Sequence, residues 1–268
     1  MTSWLGLPHL ASQHGAQLDR ALGVVHVLMA VLFVGWGAFF LYVLVRFRRG
    51  RNPTADHAGV TSHTSTWLEA GVAVAEAILL VGLSIPLWAD RVERLPPPAD
   101  STRVRIVAEQ FAWNIHYPGP DGVFGRTDPK LIDVQANPLG LDRSDPAARD
   151  DVTTINQLHL PVDRPALIQL TSKDVIHSFA LQEMRVKQDV IPGTTIQVWF
   201  VPKVTTDEMR QRTGNRDFNY EISCAQLCGL GHYRMRGYVT IETPGEFQKW
   251  MGEQQAQLSE SPEESIWR

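Results

Sequence analysis

Two transmembrane helices followed by an external all-β sandwich with a short closing helix is the fold class this sequence predicts. Three observations predict it. Two nearly uncharged apolar runs lie in the first 90 residues. The helical period ends at the three consecutive prolines 96–98. Beyond them, apolar and polar residues alternate in short runs separated by turns.

Residues 21–45, ALGVVHVLMAVLFVGWGAFFLYVLV, carry no formal charge over 25 positions. As a helix they span about 37 Å, enough for a hydrocarbon core of about 30 Å. The second run, residues 71–88, has one charge, Glu76, and reaches spanning length with Trp67 and Leu68 in front. A buried soluble hairpin seldom excludes charge for so long. Arg46, Arg48, Arg49 and Arg51 crowd the connection, which places that loop in the cytoplasm and both flanks outside. The expected organisation is an external segment 1–20, a hairpin 21–95 with its cytoplasmic loop at about 46–66, an external domain 96–252 and a flexible tail 253–268. The first 20 residues have no basic start and compact apolar core, so no cleaved signal peptide is expected and the first span directs insertion.

Charge inside a bilayer is costly, so Glu76 is expected to face a partner, and His26 to make a polar contact with a neighbouring helix. Glu69 stands at the cytoplasmic end of the second span. From position alone it reads first as a solvated carboxylate favoured by the helix dipole, and second as a proton-uptake group.

In the external part, Val104 and Ile106, Ile196, Val198 and Phe200, and Phe218, Tyr220 and Ile222 all fall in alternating runs. That is the period of half-buried strands, and the turns at Pro118-Gly119, Asp121-Gly122 and Pro192-Gly193 suggest an antiparallel sandwich. Residues 121–151, rich in Pro, Gly and Asp, read as a long surface loop. Thr243-Pro-Gly-Glu246 reads as a capping box opening a helix with Phe247, Trp250 and Met251 on one face. Residues 90–268 hold 20 basic and 25 acidic side chains, net −5. That balance and the absence of a long basic block argue against a nucleic-acid partner and suit a basic soluble one.

The chemistry is concentrated in CAQLCGLGHYRM, residues 224–235. Two thiols, an imidazole and a thioether lie within twelve residues between two predicted strands. A second imidazole, His177, sits 47 residues upstream of Cys224 in KDVIHSF. A Cys224–Cys228 disulfide leaves His232 and Met235 unexplained. A Cys2His2 zinc site uses both histidines but not Met235. Copper accounts for every member, because thiolate and thioether suit Cu(I) and imidazole suits either oxidation state. All three readings stay open on spacing, with copper favoured.

The pattern C-x3-C-x3-H-x2-M with upstream DVIHSF resembles the CuA domain of cytochrome c oxidase subunit II. The two spans, the arginine loop, EQFAWNIHYPG and VKQDVIPG occur in that family's order, so the resemblance covers nearly the whole chain. It implies a cupredoxin-like Greek-key sandwich and a binuclear copper centre. Cys224 and Cys228 would bridge the coppers. His177 and Met235 would complete one, and His232 with the backbone carbonyl of Gln226 the other. Glu69 would fall at the mouth of a proton channel. Phe111 stands where many relatives have a tryptophan that receives electrons, and Trp113 matches a second tryptophan. Gln226 replaces a glutamate that helps hold magnesium at the subunit interface; a neutral amide is a poorer ligand for a hard dication, which weakens the case for magnesium.

The resemblance further implies an electron-accepting subunit of a respiratory haem–copper oxidase in a prokaryotic plasma membrane, surrounded by lipid. Its partners would be catalytic subunit I, other oxidase subunits and cytochrome c or a similar donor. Dioxygen reduction would occur in subunit I. Quinol-oxidase relatives lack the copper ligands and fit less well. A nitric-oxide-reducing complex, or a membrane-tethered copper carrier or assembly protein, is the alternative. No C-x2-C-H haem-attachment motif occurs in the chain.

Overall fold

The computed structural model describes residues 6–54, 57–59 and 61–260. They fall into two compact units, one holding residues 17–93 and the other residues 8–16 together with the chain from 94 onward.

The first unit is helical. α1 runs Gly15–Arg46, six residues earlier than the apolar run itself. The second span is continuous over Thr64–Val92. It consists of α2 (Thr64–Leu79), a π turn (Leu80–Ser84) and α3 (Ile85–Val92). The π turn has a local cause. Pro86 has no N–H to give the carbonyl four residues before it, and Ile85 N–H reaches back five residues to the Leu80 carbonyl. Both helices are long and apolar enough to cross a bilayer, and neither apolar window is buried within the chain. Within its own helix, His26 Nδ1 donates to the Leu22 carbonyl at 2.8 Å.

The second unit is a sandwich of two five-stranded sheets. One sheet has the order β3-β2-β1-β5-β8, with β1 Thr102–Glu109, β2 Ala112–Tyr117, β3 Val152–Ile155, β5 Ala166–Ser172 and β8 Ile196–Phe200. The other has the order β4-β10-β9-β6-β7, with β4 Gln157–Pro161, β6 His177–Leu181, β7 Val186–Val190, β9 Tyr220–Cys224 and β10 Arg236–Glu242. Alternation produces the core directly: Val104, Ile106 and Ala108 on β1 are fully buried, and their neighbours Arg103, Arg105 and Val107 are not. They meet Ile168, Leu170, Phe179, Leu181, Tyr220, Ile222, Val239 and Ile241 in one apolar layer.

Two pairings correct the antiparallel expectation. β1 runs parallel to β5, with Thr102 opposite Ala166, and β10 runs parallel to β4, with Tyr238 opposite Gln157. Alternation reports which face a side chain takes, not the direction of the neighbouring strand. The chain passes repeatedly between the two sheets, as a Greek-key, cupredoxin-like sandwich requires. Phe218 lies just before β9 rather than within it, its ring edge-on to Tyr220.

Two boundaries also differ, and one helix is additional. Residues 8–16, expected as an external segment, pack on the sandwich. Ala11 N–H donates to the Glu183 carbonyl, Lys203 N–H donates to the Ala11 carbonyl, and the Ser12 hydroxyl donates to the Met184 carbonyl at 2.7 Å. An additional helix, α4 (Thr206–Thr213), is closed by a Thr205/Glu208 capping box and by Gly214 at φ 68. The closing helix α5 runs Pro244–Glu260, past residue 252 where the tail was expected to begin. Its Thr243/Glu246 capping box forms, and Trp250 stacks on His159 at 4.1 Å. Residues 261–268 of the expected tail lie outside the described residues.

Because Ala11 is 1% exposed, a carboxylate there is desolvated without a partner. Ala11→Asp is expected to release residues 8–16 and open that segment to protease. Unchanged protection in limited proteolysis counts against this packing.

Candidate metal centre

The centre forms where β9 ends, β10 begins and β6 starts beside them. β9 delivers Cys224 at its last position, and the loop from 225 to 235 returns to β10. The loop is closed by its own backbone. Cys224 N–H donates to the Met235 carbonyl, Met235 N–H to the His232 carbonyl, and His232 N–H to the Gly229 carbonyl. Ala225 N–H donates to the Ser178 carbonyl, which ties the loop to β6 one residue past His177.

These bonds turn the donors inward. The sulfurs of Cys224 and Cys228 lie 3.8 Å apart, far beyond the disulfide length of about 2.05 Å, and both cysteines are free and buried. His177 Nδ1 is 3.9 Å from the Cys224 sulfur and His232 Nδ1 is 3.6 Å from the Cys228 sulfur. The Gln226 carbonyl oxygen is 3.1 Å from Cys224 Sγ, and Met235 Sδ is 3.7 Å from Cys228 Sγ. The four other expected donors therefore stand around the two sulfurs. Two donors sharing one ion at bonds of about 2.0–2.3 Å and a tetrahedral angle lie about 3.5 Å apart, so this spacing fits metal. The thioether turned inward favours copper over zinc. His177, Cys224 and Cys228 are the metal-competent His/Cys/Asp/Glu cluster found among the described residues.

The surroundings select the reactive forms. Burial pushes the Cys224 thiol up, but hydrogen bonds with His177, with the Ser178 and Gln226 backbone and with His232 outweigh it, leaving about 6. Cys228 is pushed up to about 11 by burial and by its negative neighbour Cys224. Burial opposes protonation of His177, yet its contacts with Cys224 and Asp174 raise it overall. Asp174 Oδ1 accepts from His177 Nε2 at 2.9 Å, which orients Nδ1 toward the sulfurs.

Trp113 is wholly buried, edge-on to the rings of His177 at 6.2 Å and Phe179 at 5.9 Å. Phe111 is half-buried and covers the loop so closely that a Cβ on Gly231 would stand 2.4 Å from its ring. Glu69 is on α2 in the other unit, exposed within this chain. Sequence reasoning passed over Asp174 and Gln110, although both stand inside quoted segments; an acid three residues before a candidate ligand histidine was the available signal.

A sandwich with two buried, unlinked thiols at one end, in a chain with two helices apolar enough to cross a bilayer, is thus defined. The family model described as cytochrome c oxidase subunit II, periplasmic domain, matches residues 103–242. The alternative cytochrome c oxidase subunit 2 of Bradyrhizobium diazoefficiens is 32% identical, over 88% of this chain and 80% of its own length. The cytochrome c oxidase subunit 2 of Thermostichus vulcanus is 27% identical, over 94% and 81%. A crystal structure of the periplasmic domain of cytochrome oxidase subunit II from Bradyrhizobium japonicum superposes with a TM-score of 0.42 at 24% identity, covering 62% of this chain and 99% of that one. The chain belongs to the cytochrome c oxidase subunit II family. Its relatives are subunits of haem–copper oxidases, an oxidoreductase complex, and the family typically binds copper.

Cys224 titrates from below its ordinary range, so its thiolate is present above about pH 6 and is lost as pH falls through that value. The metal-free protein is expected to alkylate at Cys224 far ahead of Cys228 at pH 7.5, and to take up copper poorly below about pH 6. Peptide mapping after a short iodoacetamide pulse reads the first; equal labelling of both thiols contradicts it.

Proposed function

We propose that this chain is the electron-accepting subunit of a membrane-bound haem–copper oxidase. It takes single electrons from reduced cytochrome c or a similar soluble donor and passes them to haem in subunit I, where dioxygen is reduced to water. The carrying observation is the pair of buried, unlinked sulfurs 3.8 Å apart, each with an imidazole nitrogen within 3.9 Å. A pair of copper ions held there would supply the redox chemistry, the uptake and release of one electron.

The chain's own residues do the rest. Cys224 and Cys228 hold both ions between them. His177, beside Cys224, and Met235, beside Cys228, would complete one ion, as the resemblance implies. The Gln226 carbonyl, beside Cys224, and His232, beside Cys228, would complete the other, again as the resemblance implies. The sandwich fixes these groups before the electron arrives, which keeps rearrangement small. Phe111, half-exposed over the loop, is the ring placed to face a donor; Trp113 backs His177 from the core. Glu69 takes up protons on the cytoplasmic side for the partner subunit. The helices sit in the plasma membrane of a prokaryote, with the sandwich outside. Gln226 leaves the magnesium site without its carboxylate, so magnesium is not expected to be held as in relatives.

Purified from membranes, the complex is expected to hold two coppers per copy of this chain and to show a paramagnetic resonance spectrum delocalised over two nuclei. Cys228→Ser should lower oxygen consumption with reduced cytochrome c by at least about tenfold, with haem retained. Unaltered turnover, or one copper per chain, overturns the reading. Glu69→Gln should slow proton-coupled turnover with copper intact; wild-type rates remove that role.

A further inference from the structure

The two halves of the centre come from distant parts of the chain. His177 arrives on β6, and the cysteines arrive on the loop between β9 and β10. One residue bonds to both sides. Gln110 occupies the turn between β1 and β2. Its backbone N–H donates to Asp174 Oδ2 at 2.7 Å. The other oxygen of that carboxylate accepts from His177 Nε2 at 2.9 Å and from Val175 N–H at 2.6 Å. The Gln110 side chain turns the opposite way, and its Nε2 donates to the Cys228 carbonyl at 2.5 Å. The approach is tight. Gly229, at φ +132, has no side chain, and a Cβ there would stand 2.7 Å from Gln110 Nε2.

We propose that Gln110 is a positioning residue for the metal centre, bracing the Cys228 carbonyl against the Asp174–His177 pair so that the sulfurs and the imidazole keep a fixed separation. The brace rests on the copper reading of the site. An amide suits the position because it donates to a carbonyl while its backbone fixes a carboxylate, and it adds no charge beside the sulfurs. Outer partners of ligands commonly govern metal retention by about 10–100-fold.

The test uses the purified complex carrying the full-length chain, with Gln110→Met, Asp174→Asn and the double variant. Methionine keeps the length of glutamine but cannot donate. Gln110→Met is expected to lose copper to a chelator about tenfold faster than wild type and to alter the hyperfine pattern of the copper spectrum, with haem content unchanged. The double variant is expected to lose copper no more than about twofold faster than the worse single variant, because the two residues act as one linkage. Should Gln110→Met not assemble, Gln110→Leu, which removes the donor without adding charge, gives the same reading. Wild-type retention and spectrum in the donor-free variant overturn the brace. So does full additivity of the two single effects. If the wild-type complex itself holds one copper or none, the copper reading falls. If it holds the pair and Gln110→Met behaves as wild type, only the brace falls.

Discussion

Cys224 and Cys228 stand four residues apart in the chain and 3.8 Å apart at sulfur, unlinked and buried, and the sandwich fixes the backbone from which both project. A free five-residue loop could bring these thiols together under oxidising conditions. Here Cys224 is anchored in β9, Ala225 is bonded to Ser178 on β6, and Cys228 is capped at its carbonyl by Gln110. The backbone that carries both sulfurs is thereby tied to the strands. Strands of a close-packed core do not move cheaply.

That constraint explains the arrangement beneath. Trp113 fills the space under His177 with the largest side chain available, so the imidazole rests on a rigid wall rather than on a cavity. Asp174 determines which ring nitrogen faces the sulfurs. The outer nitrogen of His177 is thereby satisfied from the rim of the sheet. The apolar core needs only to be solid.

Much of this was legible in the residues. The ligand loop is local, so its spacing displayed its chemistry, and burial alternation along β1, β8 and β9 marked the faces that meet in the core. The second transmembrane run predicted a helix, but the π turn came from Pro86, whose effect is on hydrogen-bond register rather than hydropathy. Parallel pairing of β1 with β5 left no trace in alternation. α4 was missed although Thr205, Glu208 and Gly214 announce both of its ends; its polar composition offered no apolar stripe to prompt the search. The Gln110–Cys228 bond joins residues 118 positions apart, and no local pattern encodes such a contact.

The short segment around Ala11 adds a constraint of timing. Its partners, Glu183, Met184, Val201, Pro202 and Lys203, are all made some 170 residues or more after it. During synthesis these early residues therefore wait without their bonds until most of the chain has emerged. The domain is closed by a segment made well before the strands it bonds to, so an early-made piece is among the last to find its place.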